Sequence, residues 1–198
     1  MVSCSDEQET ALRPQDVKSI PMTFLVSYPG QASRATETNF EKNDKIGLYV
    51  ADAKAQLEIG GNLVNNEALT YDGSKWAAAR ALYWDKGTYT AYAYYPYIEN
   101  VSSITDQSFS VALDQRVAKT ATSLGGYEAS DLLFATSKNI SASASPINLT
   151  FKHIMSKLKI RLVKGEDFEG EMPATADVYI HNTVPTATVD LQAGVATR

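Results

Sequence analysis

Few residues of this chain have the chemistry to act on a ligand or a membrane. They are one cysteine, Cys4, two histidines, His153 and His181, a scatter of carboxylates, and a rich supply of Tyr and Trp. A single cysteine excludes an internal disulfide and a cysteine-based zinc site. Its setting is specific: a small residue, Ser3, precedes it, and the polar run Ser5-Asp6-Glu7-Gln8-Glu9 follows. That is how a bacterial lipoprotein signal ends, where a peptidase cuts beside small residues and the new N-terminal cysteine is acylated. The expectation is lipidation at Cys4, set against an ordinary unpaired thiol in a polar tail.

Catalysis finds little in the pattern. His153 and His181 stand in no metal-ligand spacing with each other or with cysteine. Neither a Gly-x-Ser-x-Gly elbow nor a phosphate-cradling glycine loop occurs. Asp44, Asp72, Asp85, Asp114 and Asp131 each fall at a turn or strand start, where a short carboxylate caps backbone N–H groups. No Asp-x-Asp-x-Asp calcium loop is present. No catalytic, metal-binding or cofactor-binding residue is therefore expected, and no enzyme. The aromatic residues Trp76, Trp84, Tyr92, Tyr94 and Tyr97 form a candidate ligand surface, since exposed rings stack on sugars. The alternative is that they fill a core.

The elements that must position these residues read as β structure. The chain has 198 residues, 44% hydrophobic and 21% charged, with 11 Tyr and 6 Phe and a net charge of −5. Tyr suits half-buried pleated surfaces, and an acidic balance gives no footing for nucleic acid. No apolar run is long enough to span a bilayer. Residues 1–18 read as a lipoprotein N-terminus and flexible tether. The region 19–198 reads as one β-domain.

In it, Ile20 to Tyr28 alternates, with Met22, Phe24 and Val26 on one face, before Pro29-Gly30 stops it. Lys45 to Val50 is a second strand. Turn signals at Gly60-Gly61, Asn65-Asn66 and Asp72-Gly73 then punctuate the chain too closely for βαβ crossovers. Thr88 to Tyr95 and Ser108 to Leu113 are strands, and Asp131 to Ala135 is apolar and short. From Lys157 the alternation is strict, which predicts an antiparallel strand with Leu158, Ile160 and Leu162 inward and Lys157, Lys159 and Arg161 wet. Ala176 to Ile180 and Ala187 to Leu191 are read as a final pair. About ten strands and no helix make a sandwich or barrel.

Four blocks in order then carry a resemblance. They are Ser33-Arg34-Ala35-Thr36 with Phe40 and Asn43-Asp44-Lys45-Ile46-Gly47-Leu48-Tyr49-Val50; Trp76 and Tyr83-Trp84 with Tyr92-Ala93-Tyr94-Tyr95-Pro96-Tyr97; Tyr127-Glu128-Ala129-Ser130-Asp131-Leu132-Leu133; and Phe151-Lys152-His153-Ile154-Met155-Ser156-Lys157-Leu158-Lys159-Ile160. Over residues 20 to 194 the chain resembles the fimbrillin-like (Mfa-like) surface lipoproteins of Bacteroides-type bacteria.

The resemblance implies a transthyretin-like antiparallel β-sandwich of Greek-key type, with about 7–10 strands and little helix. It further implies the N-terminal half of a two-domain pilin, with the C-terminal domain absent here. The function implied is a fimbria or pilus subunit, or a pilus-associated lipoprotein, acting in assembly and adhesion by strand addition. The alternative is a glycan-binding outer-membrane lipoprotein of a nutrient-uptake system. Implied partners are other pilin subunits by donor-strand exchange, a host or bacterial surface ligand or glycan, and the outer membrane through a lipid such as palmitate on Cys4. In polymerising members a protease cuts after a basic residue in the loop behind the first strand. Arg34 holds that place here, with Arg13 as the competing site.

Overall fold

The computed structural model describes residues 17–29, 39–176 and 178–198. Among them are eleven strands and one short helix. In chain order they are β1 (Phe24–Ser27), β2 (Lys45–Asp52), β3 (Val64–Tyr71), β4 (Trp76–Ala78), β5 (Thr88–Tyr95), β6 (Gln107–Ser110), helix α1 (Gly126–Ser130), β7 (Leu133–Ser141), β8 (Ile147–Thr150), β9 (Lys152–His153), β10 (Thr186–Asp190) and β11 (Val195–Thr197). The expected all-β class is observed.

Three sheets form from them. The largest has six strands in the order β4-β3-β2-β5-β7-β9, all antiparallel. A three-stranded antiparallel sheet runs β11-β10-β6. The third is the pair β1-β8, and it is parallel, with Phe24 opposite Ile147 and Ser27 opposite Thr150. A wholly antiparallel sandwich was expected, and this pair departs from it. Parallel neighbours need a long crossover, and here five of the six strands of the large sheet intervene between β1 and β8.

Residue parity explains the layering. Successive side chains of a strand point to opposite faces. Ile46, Leu48 and Val50 of β2, with Ala91, Ala93 and Tyr95 of β5, face a core shared with Ile147 and Leu149 of β8 and with Phe24 and Val26 of β1. Their neighbours Tyr49, Ala51, Tyr92 and Tyr94 face a second core, completed by Phe109 of β6 and Val189 of β10. The six-stranded sheet is therefore covered on both faces, which is why β2 and β5 are buried almost end to end.

The aromatic block is part of this packing. Trp84 is 2% exposed and its indole N–H donates to the Ser143 carbonyl at 3.1 Å. Trp76 stacks on Tyr71 with ring centroids 5.2 Å apart. Tyr92 and Tyr94 are buried, and Tyr97 is half-buried. These five residues thus supply core and core margin rather than a row of open ring faces.

Burial drives the Tyr49 phenol up to about 12, and it pushes Tyr94 and Tyr95 well above the ordinary value too. A raised phenol pKa means the fold favours the neutral ring. That stability is complete below the unfolded-state pKa of about 10 and is lost as pH rises towards the folded values. Alkaline titration followed by tyrosinate absorbance and near-UV circular dichroism is expected to show delayed ionisation that coincides with unfolding. Free titration of all tyrosines near pH 10 in a folded chain would contradict it.

Other expectations need correction. Gly126–Ser130 is a helical turn, where no helix was read. β7 runs on through Ser137–Ser141, which reads as loop. β11 was not expected. The stretch from Lys157 pairs with no strand among the described residues, and the described residues of the range expected as a strand from Ala176 to Ile180 form none either. Leu158, Ile160 and Leu162, expected inward, are exposed, at 67%, 49% and 55%. The alternation is real, but the surface it would rest on is not among the described residues.

Candidate functional site

The first strand and the slot it fills are the part of this domain best arranged to act. Met22, Phe24 and Val26 point inward, as alternation predicts, while Leu25 is 57% exposed. On one edge β1 bonds to β8, and the ladder is extended by Ile147 N–H to the Thr23 carbonyl (2.8 Å) and Phe151 N–H to the Ser27 carbonyl (3.0 Å). On the other edge the chain just before it meets residues 82–84. There Met22 N–H donates to the Leu82 carbonyl at 2.8 Å, and Trp84 N–H to the Ile20 carbonyl at 3.1 Å. The segment 20–27 is therefore bonded to β8 over its second half and to residues 82–84 at its start, and is seated over the first core, although its only covalent tie to the rest of the described fold runs through residues 30–38.

Both described ends of that connection are anchored by rings. Tyr28 packs edge-on against Phe40 at 5.1 Å between centroids. Phe40 in turn meets Trp76, Tyr95 and Phe151 edge-on at 5.0, 5.6 and 5.6 Å. Such edge-to-face contacts add about 0.5–1.5 kcal/mol each beyond burial.

A polar clamp sits at the same end. Tyr28 O–H donates to Asp131 Oδ2 at 3.1 Å, and His153 Nδ1 lies 2.7 Å from Asp131 Oδ1. The Tyr28 and His153 rings meet edge-on at 5.8 Å. One carboxylate thus joins the end of β1 to β9, from a position just before β7. A histidine beside a carboxylate is also half of a catalytic arrangement. Here the carboxylate is already engaged by a phenol and the imidazole is 42% exposed. The arrangement fits a fastening. Asp131→Ala is expected to cost about 1–2 kcal/mol, read as a lower urea midpoint at unchanged slope. It is also expected to speed amide exchange at Phe151, whose N–H bonds the last residue of β1. Unchanged protection there would remove the clamp.

A second polar fastening lies close by. Asp44, 3% exposed, accepts from Lys119 Nζ at 2.6 Å and from Glu41 N–H at 2.7 Å, while Glu41 lies 3.1 Å from the same ammonium. Burial works against the Lys119 charge, but the bonds to Asp44 and Glu41 outweigh it and raise its pKa. This pins the polar linker before α1 onto the turn that opens β2. Between the two fastenings is a small cavity of about 190 Å³, lined by Tyr28, Phe40, Tyr95, Glu128 and Asp131 among others.

Of the residues singled out from sequence, Cys4, Arg13 and Arg34 lie outside the described residues. Asp72 caps Ser74 and Lys75, and those backbone bonds hold its carboxyl down at about 2. Asp85 and Asp114 cap Lys86 and Arg116 in the same way. His181 is exposed and far in sequence from the clamp. Asp131 was read as a turn residue, and its partnership with Tyr28, 103 positions away, had no local signal.

The sequence model of the fimbrillin-like family matches residues 33–198. A Bacteroides ovatus protein named as fimbrium tip subunit Fim1C is 31% identical over 112 residues, which is 52% of this chain and 20% of that protein. A fimbrial protein from B. ovatus matches at TM-score 0.48 and 23% identity, over 69% of this chain and 29% of its own. A cell adhesion protein from Bacteroides uniformis matches at 0.47 and 18%, over 72% and 49%. A second cell adhesion protein, from B. ovatus, matches at 0.48 and 21%, over 73% and 54%. The chain spans about a fifth of the length of the fimbrium tip subunit and about half or less of each of these solved structures. With its family model matched over most of its length, the chain belongs to the fimbrillin-like family.

Proposed function

We propose that this domain is part of a fimbrial subunit or fimbria-associated surface protein that joins its neighbours by strand addition in the slot of β1. The observation that carries the reading is the seating of residues 20–27. They are paired with β8 along one edge, tied to residues 82–84 at Ile20 and Met22, and inserted into the core, yet joined to the rest of the described fold only through residues 30–38. A vacated slot would present the free N–H and C=O groups of β8 and apolar pockets at alternate positions, which are the requirements for accepting a foreign strand.

Arg34, within residues 30–38, is the proposed cut site, and Cys4 the proposed lipid anchor that holds the chain at the outer membrane. Among the described residues no helix is long and apolar enough to cross a membrane, so the anchor would rest on the acyl chains. Adhesion, with other subunits and a surface ligand or glycan as partners, is the role that follows. Burial of Trp84, Tyr92 and Tyr94 favours assembly over a sugar platform, and we assign no catalytic activity.

N-terminal sequencing of the protein on native filaments tests the cut. A start at Ala35 is the expected result. A start at Cys4, with the first strand retained on assembled filaments, would overturn processing for this protein.

A further inference from the structure

Sixteen large apolar side chains are exposed among the described residues, and ten of them lie between Leu158 and Val184. The arm that carries them leaves the sheet edge at β9, where Ile154 N–H bonds the Leu132 carbonyl (3.0 Å), and returns at β10. Its backbone joins no sheet among the described residues. Concentrated apolar exposure of this kind marks an interaction surface.

The charges of the arm narrow the occupant. Lys157, Lys159, Arg161 and Lys164 precede Glu166, Asp167, Glu169 and Glu171. Antiparallel pairing of two arms about Ile160 would set Lys159 against Arg161, twice, and like charges directly opposite are destabilising. Pairing about Lys164 does the reverse. It sets Lys157 opposite Glu171, Lys159 opposite Glu169 and Arg161 opposite Asp167 on one face. Ile160 then meets Phe168 on the other. The costs in that register are one Lys164–Lys164 contact on the axis, with Glu166 two positions away on each strand, and Leu162 set opposite Glu166 twice.

In the single chain the arm turns at Glu166-Asp167. That turn is held by Phe168 N–H to the Gly165 carbonyl (3.2 Å) and by Lys164 Nζ to the Gly170 carbonyl (2.7 Å), all exposed. Lys157 reaches back to the Tyr127 hydroxyl at 2.8 Å. Surface bonds of this kind are worth little and exchange readily.

We propose that residues 157–171 pair antiparallel with the same residues of a second copy of this chain, about a two-fold axis at Lys164. Such a contact is isologous, each copy giving the basic half to the acidic half of the other. It is lateral and does not use the β1 slot.

The test is the mass of the 198-residue chain in solution by light scattering, at low and at high salt. The expected result is twice the 21.6 kDa monomer at low salt, shifting towards monomer at high salt as the charges are screened. K159E/R161E and D167K/E169K should each run as monomers with the unfolding temperature of the parent. Mixed in equal amounts they should restore the doubled mass, because the two reversed halves match. A monomeric parent, as an arm folded back on itself would give, overturns the proposal. So does a dimer indifferent to both charge reversals, as exchange of β1 would give, or a failure of the mixture to reassociate.

Discussion

Cutting the chain between residues 30 and 38 and washing out the freed segment under mild denaturant is expected to collapse the stability of the domain, and a peptide of residues 19–29 is expected to restore it. The magnitude follows from what β1 buries. Met22, Phe24, Val26 and Tyr28 sit over the first core, and burial of a large apolar side chain is worth about 1.5–3 kcal/mol. Partial exposure of three of the four trims the total to about 5 kcal/mol, on the order of the entire net stability of an ordinary domain. For a chain of this size that loss corresponds to a fall of roughly 10–20 °C in unfolding temperature. Before washing, the cut chain should melt close to the intact one, because the segment is held by its hydrogen bonds and its core contacts. A peptide with Phe24→Asp and Val26→Asp should fail to rescue, since both changes put charge into the core. If the washed domain melts at the intact temperature, β1 is an ornament of the fold and the slot is no site for assembly.

The legibility of that site from sequence was uneven, and the physical reasons differ from part to part. The inward face of β1 was readable because Met22, Phe24 and Val26 obey a period of two, which depends only on backbone geometry. The partner was not readable. β8 lies more than a hundred residues away and runs parallel, and nothing local in Ile147–Thr150 encodes that direction. The clamp at Asp131 was hidden for the same reason, since Tyr28, Asp131 and His153 converge only through the fold. The buried aromatic block could be read two ways, because a ring that fills a core and a ring that stacks on a ligand have one composition. From Lys157 the alternation is strict, and there the segment pairs with no strand among the described residues. Alternation states that one face wants cover. It does not state which molecule supplies it.

Gly47→Ala is expected to be strongly damaging although it adds a single methyl. Gly47 lies in the middle of β2, opposite Tyr94 of β5 and Ala68 of β3. A glycine inside a central strand is ordinarily a weakness, costing about 0.5–1 kcal/mol in chain entropy relative to alanine. On entropy alone, then, alanine should help. Space decides the sign instead. The Tyr94 ring lies across the position that a Cβ on Gly47 would take, and the atoms it would meet include Cε1 and Cζ of the ring. Nor can the ring swing away cheaply. Tyr94 is 2% exposed in the second core, and its hydroxyl donates to Asn66 Oδ1 at 2.6 Å, while Asn66 Nδ2 donates to the Ile98 carbonyl at 2.8 Å. Displacing the ring gives up those bonds, at about 1–3 kcal/mol for the buried polar group left unpaired, in addition to about 1–3 kcal/mol for the overpacked core. The sum is about 2–6 kcal/mol, measured as a lower urea midpoint. The double variant Gly47→Ala with Tyr94→Leu separates the two causes. If crowding by the ring is the source, the double variant should be less unstable than the sum of the two single changes by about 1–2 kcal/mol, the coupling expected of residues in contact. Strict additivity would place the cost of the methyl in the strand backbone and not in the ring above it.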